Sequence, residues 1–282
     1  MGDCMKLSIW SSYYLDLKIE DAIDRFIQNG IYCSELSDEH GLELLNRSND
    51  IAETAKAFSA FLKERNFEIS QGHLFLKVKI CSDAFALTTL YRWIDLYEMI
   101  GIKNMVLHCD NMLGTTLNRQ ERVERNIEKL KELAAHIKDK DITVCLENLR
   151  PHFSEDEELV DRTADDLLYI IERVGSDRFG ICLDTGHLNL TDKNQREFIL
   201  KAGSRLKALH IADNAGKPLF DQHMMPFASG KIDFCKVIAA LREVNYEGLF
   251  NLEVPGERQI PLVLRDAKIA YMKTCYDYLM QL

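Results

Sequence analysis

No stretch of the chain approaches the roughly 18–20 apolar residues of a membrane span, and the N-terminus lacks the charged-then-apolar layout of a signal peptide. Both absences point to a cytoplasmic protein. Paired cysteines are also missing. Cys4, Cys33, Cys81, Cys109, Cys145, Cys182, Cys235 and Cys275 are scattered with no C-x-x-C among them, and several sit inside apolar runs. That excludes a zinc-ribbon spacing and a secreted disulfide framework, and it suits small core thiols in a reducing compartment. Basic charge is in deficit: 35 Lys and Arg against 45 Asp and Glu leave a formal net charge of −10. Such a balance argues against a polyanionic partner. The two tryptophans and thirteen phenylalanines form no nucleic-acid stacking pattern separable from core. No Pro- or Ser-rich linker and no low-complexity segment divides the chain, so residues 1–282 are expected to form one domain.

What the sequence does have is a repeated alternation. Apolar runs at 6–10, 31–36, 67–73, 104–108, 142–148, 179–187, 206–211 and 248–253 read as strands. Between them, helical spacing of apolar residues marks 19–29, 51–65, 84–100, 119–138, 163–174, 196–203, 234–244 and 262–282. Gly30 is placed to stop the first helix, and Thr163 to cap the fifth with Asp166 in its first turn. Strict alternation implies parallel strands with crossover helices. The length fits a single closed (β/α)8 TIM barrel, an α/β fold, better than an open sheet.

In such a barrel the site lies at the carboxyl ends of the strands. There the chain places His73, His108, Glu147, Asp184 with His187, His210 and Glu253, and a long connection over 212–233 adds Asp221 and His223. His40, His136 and His152 fall elsewhere. Singly, each has a plain structural account. An Asp after an apolar run is a helix cap or turn former, a strand-end His is hydrogen-bonded structure, and Glu147 or Glu253 is a partner for Arg150 or Arg258. Together they do not, because carboxylates gathered at one barrel mouth repel unless a cation stands between them. Carboxylates and imidazoles are ligands a divalent ion accepts, so a metal site is expected, with Mn, Mg, Co and Zn all compatible and no organic cofactor. Glu35 also ends a strand but has no partner pattern, and is expected to be structural or substrate-facing. Asp213 and Asn214 are candidates to orient the His210 ring, and Asn148, beside Glu147, for a similar task.

At these residues the chain resembles the xylose isomerase-like barrel superfamily, which includes sugar epimerases, sugar isomerases and endonuclease IV. The matching stretches are Cys145-Leu146-Glu147-Asn148, Leu183-Asp184-Thr185-Gly186-His187, Leu209-His210-Ile211-Ala212-Asp213-Asn214, Asp221-Gln222-His223 and Leu252-Glu253. The layout covers essentially the whole chain, and its motifs specify the superfamily rather than one reaction. The resemblance implies one divalent ion held by Glu147, Asp184, His210 and Glu253. It also implies that Glu147 and Glu253 flank the substrate as a proton-transfer pair and that His187 contacts a substrate oxygen, with His108 and His73 as further substrate-binding candidates.

A metal on adjacent carbonyl and hydroxyl oxygens stabilises the enediolate left when a neighbouring carbon loses its proton. One carboxylate takes that proton and a second group returns it. The expectation is a metal-dependent isomerase or epimerase of a sugar or sugar phosphate, with a small-molecule carbohydrate partner, no membrane, no nucleic acid and room for a homo-oligomer. Lys217, Arg150 and Arg258 are the rim cations that a phosphorylated substrate would meet. Endonuclease IV, however, looks similar and holds three zinc ions. By that resemblance His73, His108, His187, Asp221 and His223 are candidates for additional metals, and a phosphodiesterase acting at abasic DNA is the leading alternative. Against it, the loop after His73 reads Leu74-Phe75-Leu76-Lys77, without the Tyr and Asn expected in the nuclease, and the loops after the first two strands are poor in the cations DNA requires. A polyol or keto-acid dehydratase and a non-catalytic sugar binder on the same barrel complete the alternatives.

Overall fold

The computed structural model describes residues 5–151, 159–191 and 194–282; Cys4 and His152 lie outside them. Eight strands, β1 (Lys6–Trp10), β2 (Cys33–Leu36), β3 (Glu68–His73), β4 (Asn104–Leu107), β5 (Thr143–Glu147), β6 (Phe179–Asp184), β7 (Leu206–His210) and β8 (Leu249–Leu252), form one parallel sheet in the order β7-β6-β5-β4-β3-β2-β1-β8. Its two ends meet at Ile211, whose N–H donates to Asn251 O at 2.8 Å and whose carbonyl accepts from Glu253 N–H at 3.1 Å. The result is the (β/α)8 barrel that the alternation implied.

Around it run α1 (Ile19–Gln28), α2 (Asp38–Leu45), α3 (Ile51–Glu64), α4 (Ala86–Ile100), α5 (Arg119–Ile137), α6 (Ala164–Val174), α7 (Thr185–Asn189), α8 (Gln195–Ala202), α9 (Phe234–Glu243) and α10 (Leu262–Gln281). Helix α1 forms because Ile19, Ala22, Ile23 and Phe26 recur on one face and are all buried. Helices α5 and α6 start at reciprocal capping boxes, Asn118 with Glu121 and the expected Thr163 with Asp166. None of the described helices is long and apolar enough to cross a membrane.

Two helices were not legible in advance. Helix α2 is only eight residues and carries Gly41 in its middle, which weakens the pattern. The glycine is required there, because a Cβ would come within 2.2 Å of the Tyr97 hydroxyl. Helix α7 takes residues assigned to the sixth strand, which ends at Asp184 rather than running to His187.

Most apolar side chains pack between sheet and helices. Inside the barrel, a separate small cluster of Val106, Cys145, Cys182 and Ala208 plugs the floor, consistent with thiols used as core residues. The seven described cysteines are all free. Side chains alternate along a strand, so the residues two positions beyond that plug, namely His108, Glu147, Asp184 and His210, share its inward face one layer higher.

Candidate active site

Alternation thus fixes which residues reach the mouth, and closure of the sheet brings them together. Glu147 ends β5, Asp184 ends β6, His210 ends β7 and Glu253 follows β8, and all four are buried. One ligand atom from each lies within 4.8 Å of the others. His210 Nδ1 stands 3.3 Å from Glu147 Oε1 and 3.4 Å from Glu253 Oε2. Asp184 Oδ2, His210 Nδ1 and Glu253 Oε2 are buried and have no hydrogen-bond partner. Polar atoms stranded this way are costly, and more so when charged. Three such atoms converging on one point are what a divalent cation would satisfy, and spacings near 3.4 Å suit ligand bonds of about 2.0–2.2 Å. The residues present fit such an ion.

Asp184 fills both roles that its sequence context allowed. Its Oδ1 accepts from His187 N–H at 2.7 Å and caps α7, while Oδ2 faces the cluster. The cap and the ligand are the same side chain.

The remaining expected residues gather on either side. His108 Nε2 lies 2.9 Å from Glu147 Oε2, and His73 Nε2 lies 3.5 Å from the same oxygen. The other ring nitrogen of His73 meets Leu74 O at 2.6 Å, which turns Nε2 toward the carboxylate. Across the mouth, Asp221 Oδ2 is 3.2 Å from His187 Nε2 and 3.0 Å from His223 Nε2. His73, His108 and Glu147 form a second group with metal-ligand spacing, and Asp184, His187 and His223 a third.

The two glutamates titrate apart. Burial drives the Glu147 carboxyl up, but the imidazoles of His210 and His108 outweigh it and hold it well below the usual carboxylate range. Burial pushes Glu253 up to about 8, helped by the nearby Glu147 and Asp184 and opposed by His210 and His223. Without an ion between them, the two carboxyls are thus pushed in opposite directions by the same mouth.

A cavity of about 770 Å³ opens over this floor, walled by Trp10, Leu76, Val78, Met112 and Leu149 among others. Among the described residues its cationic lining is Lys79 and Arg150, and Arg150 Nε lies 3.5 Å from Asp221. Lys217 and Arg258 do not line it.

Several expectations need correction. Asp213 does not touch the His210 ring; its Oδ1 accepts from the N–H groups of Asn214, Lys231 and Ile232. Asn214 donates to Gly186 O and accepts from Asn189. Both brace the long loop after β7 instead. Asn148 holds the main chain of Asp184 rather than Glu147. Glu147 faces imidazoles, not Arg150 or Arg258. Glu35 is wholly buried and does not line the cavity, which leaves the structural one of its two expected roles. It meets His210 Nε2 at 3.1 Å, a partnership that sequence reading missed. Polar residues embedded in strands, Ser8, Glu35, Gln71 and Asn251, were the available signal, since buried polar groups need partners. Trp10, which ends β1 and lines the cavity, was missed as well.

Comparison with known proteins agrees with the barrel fold. Residues 12–275 match the family model described as xylose isomerase-like TIM barrel. The chain is 26% identical over 140 residues to the D-psicose 3-epimerase of Enterocloster bolteae, covering 49% of this chain and 42% of that protein. It is 23% identical over 223 residues to a probable endonuclease 4 of Mycoplasmopsis pulmonis, covering 74% and 78%. The chain spans about half the length, 52%, 44% and 42%, of three of the curated relatives it matches. In structure it superposes on a D-tagatose 3-epimerase-like protein with a TM-score of 0.78 and 20% identity, covering 98% of each chain.

Proposed function

The chain belongs to the xylose isomerase-like TIM-barrel family, and from that membership we propose that it is a divalent-metal-dependent isomerase or epimerase of a sugar or sugar derivative. The observation that carries the reading is the convergence of Glu147, Asp184, His210 and Glu253 on one point with three buried ligand atoms unpartnered. These four residues would hold the ion. When bound, it would polarise adjacent carbonyl and hydroxyl oxygens and stabilise an enediolate.

The rest falls to the chain's own side chains. Glu147 and Glu253 flank the substrate as the proton-transfer pair, one taking the proton from the carbon beside the carbonyl and the other returning one. His187, held by Asp221, contacts a substrate oxygen, and His108 and His73 line the same floor. Trp10, Leu76 and Val78 add apolar walls to the cavity in which a substrate would sit.

The test is exchange of a carbon-bound sugar proton with solvent deuterium, read by NMR or mass spectrometry on ion-loaded protein. A panel of ketoses, aldoses, inososes and their phosphates should contain a substrate, and Glu147→Gln should stay folded and abolish its exchange. An ion-loaded wild type that exchanges and turns over nothing in that panel removes the reading. Saturable ligand affinity without exchange makes the chain a binder.

A second reading rests on the second and third ligand groups, His73–His108–Glu147 and Asp184–His187–His223. They support a multi-metal phosphodiesterase at abasic DNA. Its forecast differs: incision of an abasic duplex, stopped by chelator and falling steeply with salt. The sparse cationic lining of the cavity disfavours it.

A further inference from the structure

Glu35 is a carboxylate sealed inside the barrel, and the chemistry above makes no use of it. It stands on β2, with no exposed surface. Its Oε2 accepts from Gln71 Nε2 at 3.1 Å and from Asn251 Nδ2. Asn251 is fixed in turn by Ser8 Oγ, 2.8 Å from its Oδ1, and Gln71 Nε2 also reaches Leu209 O, 3.3 Å away and next in sequence to His210. Strands β1, β3 and β8 thus hold the carboxylate still. Its other oxygen, Oε1, lies across the barrel 3.1 Å from His210 Nε2. Among the described residues no lysine or arginine pairs with it, and His210 is its ion-pair partner.

Imidazole carries its single proton on either nitrogen, and only the bare nitrogen can bind a cation. With a proton on Nδ1, His210 would present a donor to the centre of the cluster and a lone pair to a buried carboxylate, two errors at once. We propose that Glu35 is the positioning residue of His210: by accepting the Nε2 proton it keeps Nδ1 as the bare nitrogen aimed at Glu147, Asp184 and Glu253. Isolated buried carboxylates are costly, and a glutamine would serve Gln71 and Asn251 poorly but without that cost. Three donors converge on the two oxygens of Glu35, and a glutamine, with one accepting oxygen, cannot serve His210 together with Gln71 and Asn251. Loss of such an outer hydrogen bond typically weakens metal binding 10–100-fold. This inference rests on the reading that the four-residue cluster holds an ion.

The experiment uses zinc alone as the probe. Zinc affinity is measured by competition titration for wild type and Glu35→Gln, and imidazole nitrogen shifts are recorded on histidine-labelled, zinc-loaded wild type. The expected result is His210 protonated at Nε2 in the loaded wild type and a 10–100-fold weaker zinc affinity in a folded Glu35→Gln. Equal affinity in that variant overturns the inference and leaves the metal centre standing. Should the variant not fold, the wild-type spectrum decides alone, and an unprotonated Nε2 overturns it. A wild type that binds no zinc, manganese, cobalt or magnesium removes the metal centre and this inference together.

Discussion

Asn148 and Asp184 clasp each other across neighbouring strand ends: Asn148 Nδ2 donates to Asp184 O at 3.0 Å, and Asp184 N–H donates to Asn148 Oδ1 at 2.8 Å. The pair fixes the backbone from which one carboxylate of the cluster projects. Asn148→Ala strands two buried main-chain groups, at about 1–3 kcal/mol each. The expected outcome is a loss of about 2–6 kcal/mol in urea denaturation and metal affinity lowered by about tenfold or more in a calorimetric titration. An alanine variant with unchanged metal affinity would show that the clasp serves the fold alone.

Adding a divalent ion should stabilise the chain, because three buried atoms gain a partner. Binding to the folded state alone raises stability by roughly 2.7 kcal/mol at a ligand concentration 100 times Kd. Thermal melting with and without chelator measures this. Asp184→Asn keeps an oxygen for the α7 cap but offers the ion an uncharged amide group in place of the carboxylate. Its melting temperature should respond to added ion much less than that of wild type, while an equal response would place the ion elsewhere.

How far the sequence could be read follows from which signals are local. The barrel was legible because each strand and helix carries its own periodicity, and eight alternations leave few topologies. The ends were less so: Glu253 lies one residue past β8, and 185–187 turned from strand to helix because Asp184 caps α7. The cluster could be anticipated because each member closes an apolar run. The roles of Asp213, Asn148 and Glu35 could not. Their partners, at Lys231, Asp184 and His210, are set by how the loops close and by what lies across the barrel. Adjacency in sequence pointed Asp213 at the wrong neighbour, and it gave Glu35 none.

The number of ions separates the two chemistries. The four-residue cluster leaves three atoms unpartnered, whereas histidines of the flanking groups already have carboxylate partners, His108 with Glu147 at 2.9 Å and His223 with Asp221 at 3.0 Å. Elemental analysis of dialysed protein should therefore find one tightly held ion per chain. His108→Ala and His223→Ala should keep that stoichiometry and act on KM and kcat for the sugar. Three ions per chain, reduced by either variant, would favour phosphodiester hydrolysis instead.

Away from the four-residue cluster, Asp161 gives a pH dependence of stability with a definite sign. It is fully buried, its two carboxylate oxygens accept from Asn111 Nδ2 at 3.1 and 3.2 Å, and burial pushes its carboxyl up to about 7. The folded state then holds a proton that the unfolded chain, with the ordinary value of 3.8, gives up. Its stabilising contribution is complete below that ordinary value and disappears as pH rises through about 7. Asp161→Asn keeps an acceptor for Asn111 and cannot ionise. Urea denaturation at pH 5 and pH 8 should show wild type losing more stability over that interval than the variant, by on the order of 2–4 kcal/mol. Other titrating groups, including those of the cluster, cancel in that double difference. Parallel losses in the two proteins would mean that Asp161 is already ionised at pH 5, with a cation close enough to offset its burial.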